Sequence, residues 1–305
     1  MRKILMILCL LVSLSVFPRQ MPATYFQEDG RWYFGFSNRT DNTEVVGAHI
    51  PTFRLVCNGG SRACWSTPFA RDRRFVYFQG RRIIGVHLRT WELIAPIEGK
   101  GRFSLYSRDR RNVFFGGTKI EGADRDSFED ISSGLGHRTP FFGRDKNSIF
   151  RGVFRTSYDV ATFREVCIGF TADKLGIYYQ GKLLEGTCLN DFRLLNLYVV
   201  SNNRVFFRDQ KLNADAKSFQ VLAYKRSPFS NASGLDFTIA RDKNHIFIDG
   251  QKLAELDVET FVIVNLYYRS GLFRGGAIVK DKNGTFQIRN YFGFRPFDLI
   301  PIETE

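Results

Sequence analysis

The sequence predicts an all-β repeat protein, a β-propeller-like ring of about eight small antiparallel sheets, with an open β-solenoid as the alternative. Three observations predict it. Aromatics are abundant, 31 Phe and 12 Tyr against 3 Met, and such side chains suit the half-buried surface of a pleated sheet. A short polar segment, typified by Arg241-Asp-Lys-Asn-His245, recurs along the chain. After it stands a β-branched residue followed by an aromatic, the mark of a short strand.

The chain opens with Arg2 and Lys3, then a mostly apolar run from Ile4 to Phe17 that Pro18 and Arg19 end. That run is short of the roughly 20 residues a bilayer span needs. It reads as a secretory signal peptide over residues 1–23, cut after Ala23. Met21 suits the −3 position poorly, so an inner-membrane anchor formed by residues 4–17 is the alternative. Residues 24–305 then form a single β-repeat domain, exported to the periplasm or cell surface. Removal of the leader takes Cys9 and leaves Cys57, Cys64, Cys167 and Cys188. An even number in an oxidising compartment points to disulfides, and proximity favours Cys57 with Cys64 and Cys167 with Cys188. Metal binding competes with that reading, but no Cys-x-x-Cys pair and no His at ligand spacing accompanies these cysteines, so buried thiols outside any disulfide are the alternative.

Aligned on its acid, the polar segment recurs at Asp72, Asp109, Asp145, Asp173, Asp242 and Asp281, with Ser201 substituting once and a degenerate first copy at Asp29. Successive anchors stand 28 to 43 residues apart. A fixed kernel at variable spacing is what loops inserted on a repeated scaffold produce. Four residues past the anchors stand Val76, Val113, Ile149, Ile177, Val205 and Ile246, each followed by Tyr or Phe. The anchors are structural turn positions: Asp caps backbone amides, and Asn or Gly tolerates positive φ.

A second kernel lies between anchors. It reads Asp-x-x-Ser/Thr-Phe at Asp124–Phe128, Asp159–Phe163, Asp215–Phe219 and Asp257–Phe261. The Asp accepts amides two or three residues on, and the Phe begins another strand. His49, His87 and Cys188 take the Asp position in three further units. A sheet of three or four such strands cannot bury both faces alone, so it must stack on its neighbours.

This register removes most catalytic candidates. His49 and His87 are turn substitutions and His245 sits in a variable slot, which leaves His137, in a loop outside the kernels, as the one candidate histidine. No catalytic residue is assigned. Glu92, Glu98 and Glu165 lie off the register and show no pairing. Asp-Lys-Asn offers oxygen donors to calcium, but Lys146, Lys174, Lys243 and Lys282 stand among them and oppose a divalent cation. No metal and no cofactor is expected.

The leader carries Arg2, Lys3 and Arg19 and no acid, so of the formal charge of +13, +10 stays on residues 24–305. A basic surface suits an anionic lipid surface, a glycan or an acidic protein of the envelope. Nucleic acid is disfavoured, because the aromatics recur at strand positions rather than as stacking platforms.

These kernels resemble the DKNYY family of bacterial envelope proteins. Its motif is Asp-Lys-Asn-x-aromatic-aromatic, a Gly-Lys-Lys turn and Ala-Asp-x-x-Ser/Thr-Phe. The nearest matches are Ala172–Gly186 and Arg108–Ile131, and the resemblance covers most of residues 70–290. Ser201-Asn-Asn and the Asn-less Asp72 and Asp109 units depart from it. The resemblance implies a repeat protein of unknown function with no catalytic residues to carry over. The expectation is a non-catalytic binding or scaffold module of the cell envelope, the alternative a polysaccharide-acting hydrolase or lyase on the same scaffold.

Overall fold

The computed structural model describes residues 23–36, 41–57, 67–97, 104–132, 141–167, 169–225, 237–267, 273–291 and 298–302. They are all-β, with eight small antiparallel sheets, no closed barrel and no α-helix, as a propeller-like or solenoid repeat requires. None of the described residues forms a helix long and apolar enough to cross a membrane. The signal-peptide or anchor run, Cys64, Glu98 and His137 lie outside the described residues. The chain divides into two compact units, Met1–Gly85 and Val86–Glu305. The repeat runs through both.

The first unit holds two sheets. Thr24–Glu28, Arg31–Gly35 and Thr43–Glu44 make the first. Arg54–Val56, Phe69–Arg71, Val76–Phe78 and Arg81–Arg82 make the second. The second unit holds six four-stranded sheets, the third to the eighth, whose strands lie within residues 92–119, 129–155, 164–183, 192–212, 220–253 and 262–301. In each, strand order follows the chain. The fourth sheet illustrates it with Glu129–Asp130, Phe142–Arg144, Ile149–Arg151 and Phe154–Arg155. Its first strand follows the second kernel, its second ends at the anchor Asp145, its third carries the Ile149-Phe150 pair, and its fourth follows a glycine turn.

The paired residues are buried on both sides of the second to seventh sheets. Val76, Ile149, Ile177, Val205 and Ile246 have no solvent exposure, and the aromatics that follow them are buried too. Successive strand residues face opposite ways, so both faces are covered. The kernel Phe supplies much of the cover. Phe128 lies 5.2 Å from Tyr106 of the third sheet and 5.7 Å from Phe150 of its own. Phe219 does the same between Tyr198 and Phe247, at 5.1 and 5.8 Å. Phe53 does so in the first unit, at 5.6 Å from both Tyr25 and Tyr77.

Hairpin turns of the mirror type close the strands where two successive residues take positive φ, as at Gln180 (50°) and Gly181 (91°), or Asp249 (45°) and Gly250 (82°). The Asp-Lys-Asn turns differ from expectation. Among the described Asn residues only Asn196, Asn202 and Asn203 have positive φ, so Asn147, Asn244 and Asn283 do not serve as left-handed residues. What their position supplies is a backbone amide for the anchor carboxylate.

Candidate functional site

Asp145 shows what the repeated motif does. It ends one strand, and its amide donates to the Ser148 carbonyl at 3.0 Å to close the turn. Its Oδ1 accepts the amides of Asn147 (2.8 Å) and Ser148 (2.7 Å). Its Oδ2 accepts the amide of Asp124, the first residue of the second kernel, at 2.7 Å. One carboxylate therefore folds its own turn and ties down the turn that starts the sheet.

The same arrangement recurs. The Oδ2 atoms of Asp72, Asp109, Asp173, Asp242 and Asp281 accept the amides of His49, His87, Asp159, Asp215 and Asp257, at 2.7 to 2.9 Å. Their Oδ1 atoms each accept one or two turn amides. None of the six anchors is more than 5% exposed. Burial pushes the carboxyls of Asp72, Asp109 and Asp242 up, but the amide donors together outweigh it and hold each below the usual carboxylate range. Ser201 replaces the acid with a hydroxyl that accepts from the Cys188 amide (2.9 Å) and donates to the Asp191 carbonyl (2.5 Å).

A second tie runs in parallel. The residue after the anchor donates its amide to the kernel Ser or Thr hydroxyl, as Lys146 does to Ser127 (3.1 Å) and Lys282 to Thr260 (2.9 Å). The hydroxyl in turn donates to the kernel Asp, 2.7 Å for Ser127 to Asp124. The lysine side chain completes the ring. Lys146, Lys174 and Lys282 place Nζ 2.7 to 2.8 Å from Asp124, Asp159 and Asp257. Lys146 and Lys282 draw the carboxyls of Asp124 and Asp257 down to about 2. Where His49 and His87 replace the Asp, their Nδ1 atoms lie 2.8 and 2.9 Å from Thr52 and Thr90, and the residue after the anchor is Arg73 or Arg110.

Such a site organises backbone. The amides take most of the lone pairs of each anchor carboxylate, three of about four on Asp145. Among the described residues no group of three or more His, Cys, Asp or Glu is placed to hold a metal ion. His245 Nδ1 lies 3.3 Å from Asp242 within its own turn. Glu92 pairs with Arg108 at 2.7 Å across the third sheet. Glu165 lies on the strand Arg164–Cys167, opposite Thr171.

Cysteine pairing needs one correction. Cys57 is disulfide-bonded, but no disulfide joins Cys167 to Cys188. Cys167 pairs with Phe170 at the hairpin end of the fifth sheet, whereas the hydroxyl oxygen of Thr187, next to Cys188, accepts the Ile177 amide near the anchor end. Those ends are three residues apart along Phe170–Asp173, about 10 Å at the rise of a strand. That is beyond disulfide reach. Burial raises the Cys167 thiol to about 11, so it is no thiolate nucleophile at neutral pH.

Sequence reasoning found each kernel but missed the bond between them. The signal was present in the repeats: Lys follows the anchor wherever the kernel begins with Asp, and Arg follows it wherever the kernel begins with His. A model of the DKNYY family matches residues 69–201 and 198–301. No curated protein and no solved structure matches the chain. The repeated kernels, the eight sheets that they build and a family match over most of the length lead to one conclusion: the chain belongs to the DKNYY family.

Proposed function

We propose that this chain is a non-catalytic, exported repeat protein that acts as a binding or scaffold module of the bacterial cell envelope. One observation carries the reading. The residues that recur, and that would have to carry any repeated chemistry, have their carboxylate oxygens engaged by backbone amides. Variation is left to the connecting loops and the outer strands, where binding surfaces of repeat proteins lie. Export is supported by the basic-then-apolar start of the chain and by the disulfide at Cys57. The basic balance suits anionic envelope material.

The test is co-sedimentation of the mature chain with wall and membrane fractions over a range of salt, alongside a screen of polysaccharides for new reducing ends. Binding to one fraction above background, with no reducing ends, is expected. No retention in any fraction contradicts the binding role, and reducing ends that scale with protein concentration contradict the non-catalytic one.

A further inference from the structure

The repeat provides an internal control, because each sheet shows what its neighbours need at the same position. Six residues past the anchor stand Phe78, Phe115, Tyr179, Phe207 and Ile248, all apolar or aromatic, and in the eighth sheet Gln287, polar but uncharged. The fourth sheet has Arg151 there. Nine residues past the anchor stand Arg81, Thr118, Lys182, Gln210 and Gln251, all polar. The fourth sheet has Phe154 there, 74% exposed. This sheet has moved its ring outward and put a guanidinium where a ring packs elsewhere. Neither change serves the core.

An open cleft of about 940 Å³ lies where the exchange occurs. Its lining includes Phe115, Phe141, Arg151, Phe154, Arg155 and Gln180. Phe115 and Phe141 meet edge to face at 5.6 Å. Gly152 leaves room for the first of them: a Cβ there would come within 3.3 Å of the Phe115 ring. Arg151 donates to the Gln180 carbonyl (3.0 Å) and passes beside Gly181, and Arg155 donates to the Gly122 carbonyl (3.1 Å). Each guanidinium is thus aimed by one donor of the five it has. Among the described residues no Asp or Glu lines the cleft.

We propose that this cleft binds an anionic saccharide, a pyranose chain that carries carboxylates. The exposed Phe154 ring, in the same cleft wall as Phe115, offers a flat apolar surface to the C–H face of a sugar. The forks of Arg151 and Arg155 match carboxylate geometry; the nearest competing acid, Glu165, lines the adjoining pocket on the other side of Arg151 and not the cleft itself. A peptide fits less well, since the edge strand Phe154–Arg155 is two residues long and offers little backbone for strand addition. A membrane surface fits less well because the site is concave. The inference rests on the reading of the chain as a binding module and gives that reading a place and a ligand class.

The test is calorimetric titration of the mature chain with tetragalacturonate, with cellotetraose, a hexaglutamate peptide and phosphatidylglycerol vesicles as the other arms. The variants are Phe154→Gln and Arg151→Phe, which restore the residue types of the sister sheets and so leave folding intact. Saturable binding of tetragalacturonate is expected, absent for cellotetraose, and weakened about tenfold or more in each variant at unchanged melting temperature. Equal binding of cellotetraose, variants that bind like the parent, or a response only to the peptide or vesicles overturns it. Loss of this titration while envelope co-sedimentation persists refutes the cleft alone. Loss of both refutes the binding module as well.

Discussion

The amide of Asp124 donates to Oδ2 of Asp145 across 2.7 Å, and the lysine after Asp145 reaches back to Asp124 at 2.8 Å. Two kernels 21 residues apart thereby close into one unit. The buried half of this exchange should dominate. Asp145→Asn keeps one acceptor but turns an N–H₂ toward an amide donor, so it is expected to cost about 2–4 kcal/mol in urea unfolding. Lys146→Met removes only the solvent-facing ion pair and is expected to leave the unfolding midpoint almost unchanged.

Acid should loosen the protein in a defined window. Asp124 and Asp257 sit at about 2 in the fold, against an ordinary value of 3.8, and Asp72, Asp109 and Asp242 are also lowered. Carboxyls depressed on folding contribute stability that is complete above their unfolded values and is lost as pH falls through their folded ones. The melting temperature is therefore expected to hold steady down to about pH 4 and to fall between about pH 4 and pH 2. A melting temperature that stays level down to pH 2 would contradict this.

The sixth sheet tests whether consensus is always repair. Ser201 stands where the other anchors are Asp, is 2% exposed and donates to the Asp191 carbonyl. Ser201→Asp would set a carboxylate against that carbonyl and beside the Asp191 side chain, which accepts the Asn202 amide at 3.2 Å. It is expected to destabilise by about 1–3 kcal/mol, although it matches the repeat. Denaturant titration of the single variant measures this.

Tyr198 offers a matched pair with Tyr106. The Tyr198 hydroxyl accepts the Gly250 amide of the next sheet at 3.0 Å, whereas the Tyr106 hydroxyl donates to the Phe141 carbonyl at 3.0 Å. Tyr198→Phe strands a buried donor and should cost about 1–3 kcal/mol. Tyr106→Phe leaves a carbonyl that has a second lone pair and should cost about 1 kcal/mol. Equal losses in paired unfolding curves would argue against this distinction.

The sequence makes local chemistry legible and long-range chemistry faint. Capping of Asn147 and Ser148 by Asp145 spans two or three residues, so the motif announces it. Burial of Ile149 beside Phe150 follows from the same few letters. The bond from Asp124 to Asp145 spans 21 residues and two strands, and only the matching of Lys146 with Asp124, and of Arg73 with His49, hints at it. Proximity in sequence misled at Cys167 and Cys188 because an intervening hairpin sends them to opposite ends of the strands. The cleft at Phe154 was readable in principle, as a polar position turned aromatic, but only once the repeat had been set in register with its turns.

Hydrogen exchange on Asp145→Asn tests the central claim most directly, that the recurrent carboxylates fold backbone and do no other chemistry. Faster exchange is predicted at Asp124, Asn147 and Ser148, with the sixth to eighth sheets unchanged and no response in the parent protein to calcium or to EDTA. Unaltered protection at those three amides, or protection in the parent that rises with calcium, would contradict the account.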